Sequence, residues 1–245
     1  MTTKLSPSVI ISRAFEIYRT QLLTLLSAAL AIYLVQFVVN LVLPDSLDWI
    51  GGIVSLVLTA FFTGMVVMLV RDLQDGHRDS SLGELFSSVT PVFVPVIVVA
   101  ILFAIGVAIG LVLIIIPGLI LLTIWAVVIP VTVIERPGIL RAFGRSRELV
   151  KGNGWQVFGT ILLVWLLTIV VGAIGAVIAG VIGGVIGALV AAIVSALIAP
   201  VAALTAALIY FTLLAEKAPA TQATATDASF PQPPAGTSTA PPPAV

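Results

Sequence analysis

The chain has 245 residues, 60% of them hydrophobic and 9% charged, with a mean hydropathy of +1.25. A soluble domain carries about a quarter charged residues, so these totals exclude a water-soluble globule and read as an all-α, polytopic integral membrane protein. Eleven basic and eleven acidic residues cancel, so net charge is silent about partners, and the absence of cysteine removes disulfides, thiol nucleophiles and thiolate metal sites together.

The N-terminal stretch does not read as a secretory signal. The apolar run starts near Leu22, outlasts an h-region, and has its one A-x-A match, Ala29-Leu30-Ala31, inside the run. Ser6-Pro7 predicts an N-cap followed by proline at the first helical position. In the helix that follows, Ile10, Ile11, Ala14, Phe15, Ile17 and Tyr18 share one side and Ser12, Arg13, Glu16 and Arg19 the other, the pattern of a helix lying in a membrane interface. Residues 21–43 carry no charge and span roughly 35 Å as a helix, enough for a first crossing. A turn with Asp45 and Asp48 leads to a second span over residues 49–70. The polar stretch 71–88 predicts another short interfacial helix in its second half, with Leu82, Leu85, Phe86 and Val89 inward. His77 beside Asp72, Asp75 and Asp79 has the residue types for a divalent cation, but a solvated loop explains it, and no metal site is assigned.

Residues 92–134 form one uncharged run of two-span length. Pro117-Gly118 is the predicted break, giving span three at 91–115 and span four at 118–135. The next stretch, 136–159, holds five of the eleven Lys and Arg residues. Wound as a helix it places Ile139, Ala142, Phe143, Ser146, Leu149 and Val150 on one arc and Arg141, Gly144, Arg145 and Glu148 opposite, with Arg147 and Lys151 at the boundary. Leu140 breaks the pattern. Basic stems on such a helix lie along apolar surface while their heads reach lipid phosphate. Arg141, Arg145, Arg147 and Lys151, with Trp155 at the interface, are therefore the candidate lipid-headgroup residues; the alternative is that they only set topology. Glu135 beside Arg136, and Glu148 near Arg145 or Lys151, read as local ion pairs. Gly152-Asn153-Gly154 ends the helix.

Residues 155–215 are again uncharged and hold spans five and six, with a turn near 179–184 and a kink at Pro200. Small residues recur at every fourth position from Gly172 through Ala176, Gly180, Gly184, Ala188 and Ala192 to Ala196. They predict an internal packing seam, or alternatively a homodimer face. This membrane domain, 1–215, gives way to residues 216–245, rich in Ala, Thr and Pro and expected to be a disordered cytoplasmic tail.

Six spans put the N-terminal arm, the 71–90 and 136–154 loops and the tail on one side, and that side holds all eleven Lys and Arg. The positive-inside rule makes it cytoplasmic, which predicts an inner (plasma) membrane protein with both termini inside. The segment from Arg13 to Gln21 aligns without gaps on that from Arg145 to Asn153 in the pattern R-x-x-E-[IL]-x-[RK]-x-[QN], and residues 81–89 form a weaker copy. The chain thus reads as three hairpins, each preceded by a short amphipathic helix.

Ile116-Pro117-Gly118, Trp125, Pro130, Glu135, Arg141-Ala142-Phe143, Arg145-Ser146, Leu149, Lys151-Gly152 and Trp155, in that order, resemble a family of multi-pass proteins. The family is named for the membrane domain of glycerophosphoryl diester phosphodiesterases, and the likeness covers most of residues 5–215. It implies a six-helix bundle. Some members carry a catalytic domain after the membrane region; here only the tail is expected to follow, so the resemblance brings no activity.

No Asp, Glu, Lys, Arg or His lies within the apolar body of any span, where proton relays and ion-coupled carriers need them. No catalytic residue, cofactor motif or nucleic-acid signature is found. The sequence therefore predicts a non-enzymatic membrane protein that binds lipids, anionic phospholipid included, or partner proteins, a second copy among them, and supports membrane homeostasis. The alternatives are a facilitator for a lipid or small amphiphile, using Ser55, Thr59, Thr63, Thr123, Thr160 and Thr168, or an accessory domain for a phosphodiesterase on another chain.

Overall fold

The computed structural model describes residues 6–76 and 82–217, and in them every regular element is helical. Besides 3-10 turns at Asp45–Leu47 and Thr90–Val92, these are in chain order α1 (Pro7–Thr20), α2 (Leu22–Val42), α3 (Asp48–Gln74), α4 (Leu82–Val89), α5 (Phe93–Leu113), α6 (Ile115–Ile124), α7 (Val128–Ile134), α8 (Ile139–Val150), α9 (Gly154–Ile182) and α10 (Gly184–Lys217). Among the described residues six stretches are long and apolar enough to cross a membrane: α2, α3, α4 running into α5 (Gly83–Leu113), α6 with α7, α9 and α10. The metal-type cluster around His77 and Asp79, and the stretch 218–245, lie outside the described residues.

Pro7 occupies the first turn of α1, where its missing donor costs no bond. The same logic corrects the break expected at Pro117-Gly118. Pro117 sits in the first turn of α6, and the chain reverses three residues earlier at Ile114, which is extended. Gly118 is needed for approach rather than for the turn, because a Cβ there would lie 2.6 Å from the Leu111 backbone nitrogen. The last turn does use glycine conformation: Gly183 and Gly184 both have positive φ between α9 and α10. Pro200 stands inside α10 without ending it. It has no N–H for the carbonyl four residues back, and the Tyr18 hydroxyl donates to the neighbouring Leu197 carbonyl at 3.1 Å.

Within the sequence, α2 packs on α3, α5 on α6, and α9 on α10. The second half of α10 is the centre of the molecule, with Leu204, Ala207, Tyr210 and Leu213 fully buried and neighbours in α1, α2, α3, α7, α8 and α9. Around it are buried Leu25 and Ala29 from the start of α2, Val66, Val67, Leu69 and Val70 from the end of α3, Val96 and Val99 from the start of α5, and Val131 from α7. All of these lie toward the charged ends of their helices. At the other ends Leu41, Val42, Val112–Ile116, Val181, Val185 and Ile186 are exposed. Exposure of this kind costs nothing against lipid tails, which are as apolar as leucine.

Two smaller expectations are corrected. Leu85 and Val89 of α4 are buried as expected, but Phe86 is exposed on one side and meets Phe61 edge-on at 5.0 Å on the other. The small-residue ridge does not form the α9–α10 seam. A Cβ at Gly175 would lie 2.6 Å from the Val194 side chain, and one at Gly187 would collide with the Ala179 carbonyl, whereas Gly172 and Gly180 have open space. Ala176, Gly180, Gly184 and Ala188 face outward. A four-residue period drifts around a 3.6-residue helix, so a ridge counted on sequence leaves the contact line after two turns.

Candidate functional site

The charged face of the bundle is built on α8. Its apolar arc is turned inward: Ala142, Ser146, Leu149 and Val150 are buried, and Phe143 packs edge-on against Trp125 at 4.9 Å. The helix covers α7 and the neighbouring ends of α5, α6 and α10, so this arc faces protein. The chain reaches it through Arg136, a non-glycine residue at φ 49°, followed by Pro137 and Gly138 at φ 94°. That sharp entry swings α8 under α7.

Entry and exit of α8 are secured by polar contacts over long sequence distances. Arg145 Nε donates to Glu135 Oε2 at 2.7 Å, the Tyr210 hydroxyl donates to Glu135 Oε1 at 3.2 Å, and Arg145 Nη1 lies 3.6 Å from Glu148. The hydrogen bond to Glu135 holds the Arg145 guanidinium above its ordinary pKa. Ser146, fully buried, donates to the Ile124 carbonyl at 2.9 Å. That carbonyl is free because α6 stops there: the Val128 N–H bonds Trp125 instead. At the far end Lys217 Nζ donates to the Glu148 and Lys151 carbonyls, capping the last turn of α8 where a cation is favoured, and Asn153 Nδ2 donates to Glu216 at 2.6 Å.

The five candidate lipid residues therefore separate. Arg141, Arg147, Lys151 and Trp155 are exposed, whereas Arg145 is half-buried and held by two carboxylates. The pairing read for Glu135 is corrected as well: its partner is Arg145, ten residues on, and not the adjacent Arg136. Leu140, which broke the helical pattern, is 80% exposed, and Trp155 is 83% exposed. Leu140, Gly144, Arg147 and Lys151 follow one another at three- and four-residue steps and so form one outward stripe. Sequence spacing carried no sign of Tyr210 or Lys217, which lie 75 and 69 residues from their partners.

Four of the six hydroxyls considered for a polar groove donate within their own helices. Thr63, Thr123, Thr160 and Thr168 each donate to the carbonyl four residues back, at 2.7–2.9 Å. Among the described residues no group of three His, Asp or Glu side chains is placed to hold a metal ion.

No family model matches the chain, and no solved structure matches it. Over 117 residues it is 29% identical to the UPF0259 membrane protein of Pectobacterium carotovorum subsp. carotovorum, a bacterium, a match covering 48% of this chain and 46% of that protein. The chain thus spans about half the length of the curated relative it matches. The resemblance to the phosphodiesterase membrane-domain family is overturned, because this relative carries a different family name and nothing points to the other. The residues behind that resemblance do structural work of general use: Gly118 admits α5, Trp125 receives Phe143, and Ser146 and Arg145 hold a short helix to a broken one. The six apolar helices and this similarity together make the chain an integral membrane protein.

Proposed function

We propose that this is a non-enzymatic membrane protein built as three hairpins, each introduced by a short helix at the cytoplasmic face, that binds anionic phospholipid and so supports membrane homeostasis. The observation that carries the reading is the outward stripe of α8, where Arg147 and Lys151 share a line with Leu140 and stand near Arg141 and Trp155. Two exposed apolar side chains bracketing exposed cations are what an anionic lipid surface recognises, the first entering the acyl boundary and the second meeting phosphate. The one-sided distribution of Lys and Arg supports a cytoplasmic position for this face and an inner-membrane location. The inward fold of Arg145 narrows the site to Arg141, Arg147, Lys151 and Trp155.

The test is lipid retention by the full chain purified in detergent and exchanged into mixed lipid. Each basic residue near an anionic surface contributes about 1 kcal/mol, so the triple variant Arg141→Gln/Arg147→Gln/Lys151→Gln should lose at least tenfold in retained phosphatidylglycerol. Arg145→Gln should retain it. Equal retention by the triple variant and wild type would remove the proposal.

A further inference from the structure

A second place in the fold has the chemistry of a ligand site. Between α1, the end of α3 and the centre of α10 lies a cleft of about 600 Å³, within the range of small-molecule sites. Arg13, Glu16, Thr20 and Gln21 line it from the α1 side and Gln74 from α3, over an apolar floor that includes Val70 and Leu208. One cation and one carboxylate, a single helical turn apart, thus share one opening.

The internal repeat shows why this pair is informative. Arg13 and Glu16 align with Arg145 and Glu148, and in α8 that pair is closed, 3.6 Å apart, with Glu135 completing the charge on Arg145. Among the described residues Arg13 and Glu16 have no ion-pair partner. Among the described residues the same motif is consumed by the fold in one copy and left open on a cleft in the other.

We infer that the α1–α3–α10 cleft binds the headgroup of a zwitterionic phospholipid bearing a primary ammonium, a phosphatidylethanolamine, separately from the α8 stripe. Arg13 suits the phosphate, since a guanidinium meets phosphate oxygens in a fork. Glu16 suits the ammonium, and it disfavours a purely anionic headgroup by like-charge repulsion. The source is a lipid and not a free phosphodiester because the cleft sits where α1 runs into α2. There the uncharged span begins, and Leu22 and Leu23, the latter 85% exposed, continue from the cleft as a surface for acyl chains.

The experiment is native mass spectrometry of the full chain in detergent with equimolar phosphatidylethanolamine, phosphatidylcholine and phosphatidylglycerol. Wild type should favour phosphatidylethanolamine over both others by about fivefold, the size of one exposed charge contact. Glu16→Gln should abolish that preference and raise phosphatidylglycerol, Arg13→Gln should lower all three, and Gln74→Leu, on the opposite wall, should lower phosphatidylethanolamine with Glu16 intact. Arg13, Glu16 and Gln74 are all outside the buried core, and unchanged thermal midpoints confirm folding. The triple α8 variant should keep the preference, which separates this site from the proposed anionic one. A wild type without preference, a preference that survives Glu16→Gln, or one lost in the α8 variant overturns the assignment. So does displacement of the lipid by equimolar glycerophosphoethanolamine, which lacks acyl chains.

Discussion

Glu135→Leu should destabilise the protein, and adding Tyr210→Phe should restore part of the loss. In the native state Glu135 accepts from both Arg145 and Tyr210, and Tyr210 is 0% exposed. Leucine fills the carboxylate's space and keeps water out, so the Tyr210 hydroxyl is left buried without an acceptor. An unsatisfied buried group costs about 1–3 kcal/mol. The lost ion pair adds only about 1 kcal/mol, because both partners remain partly in contact with water. Glu135→Leu should therefore cost about 3 kcal/mol, whereas Glu135→Leu/Tyr210→Phe removes both ends of the buried bond and should cost about 1. Tyr210→Phe alone should cost under about 1 kcal/mol, since Glu135 keeps Arg145. Denaturant titration of the purified protein in mixed micelles, followed by tryptophan fluorescence, measures all three, with Trp125 packed against Phe143 of α8 as a reporter. A double variant no more stable than Glu135→Leu would refute the buried hydroxyl as the source of the cost.

Gly118→Ala should cost about 1–3 kcal/mol by forcing α5 and α6 apart, and Gly187→Ala a similar amount at the α9–α10 seam, while Gly172→Ala and Gly180→Ala, with open space at Cβ, should be neutral in the same titration. Ser146→Ala should lose about 1–2 kcal/mol by freeing the Ile124 carbonyl, and Ser146→Thr should recover part of it if the hydroxyl reaches the same acceptor. Burial holds the Tyr18 phenol above its ordinary pKa. A raised folded-state value means the contribution of the neutral phenol is complete below the unfolded value of about 10 and lost as pH rises through the folded one. The difference in thermal midpoint between wild type and Tyr18→Phe should accordingly be constant below about pH 9 and shrink above about pH 10.

The number and approximate limits of the apolar crossings were legible because hydropathy acts residue by residue: α2, α3 and the α9–α10 pair fall where uncharged runs predicted them. Amphipathic arcs were legible for the same reason, and the buried face of α8 is the one its periodicity named. What the pattern could not say was what that face would meet. An apolar arc packs equally well on lipid or on helix ends, and Leu140, the residue that fits no arc, is the one left outward. Pro117-Gly118 misled because proline tolerated in a first turn and proline ending a helix have the same spelling; the deciding fact is the close approach of Leu111 to Gly118. The contacts of Arg145, Ser146 and Lys217 join residues 10, 22 and 69 positions from their partners. Such pairs are set by how helices cross, which single-sequence spacing does not encode.

In the proposed topology the crossings pair, so that every basic segment returns to the same leaflet. Because the chain has no cysteine, single replacements report sidedness without a background, and Ser46, Ser8, Gly76 and Gly144 are all exposed positions between or before crossings. With a membrane-impermeant maleimide on intact cells, Ser46→Cys should label, whereas Ser8→Cys, Gly76→Cys and Gly144→Cys should label only after permeabilisation. Labelling of Ser46→Cys and Gly144→Cys from the same side would contradict it.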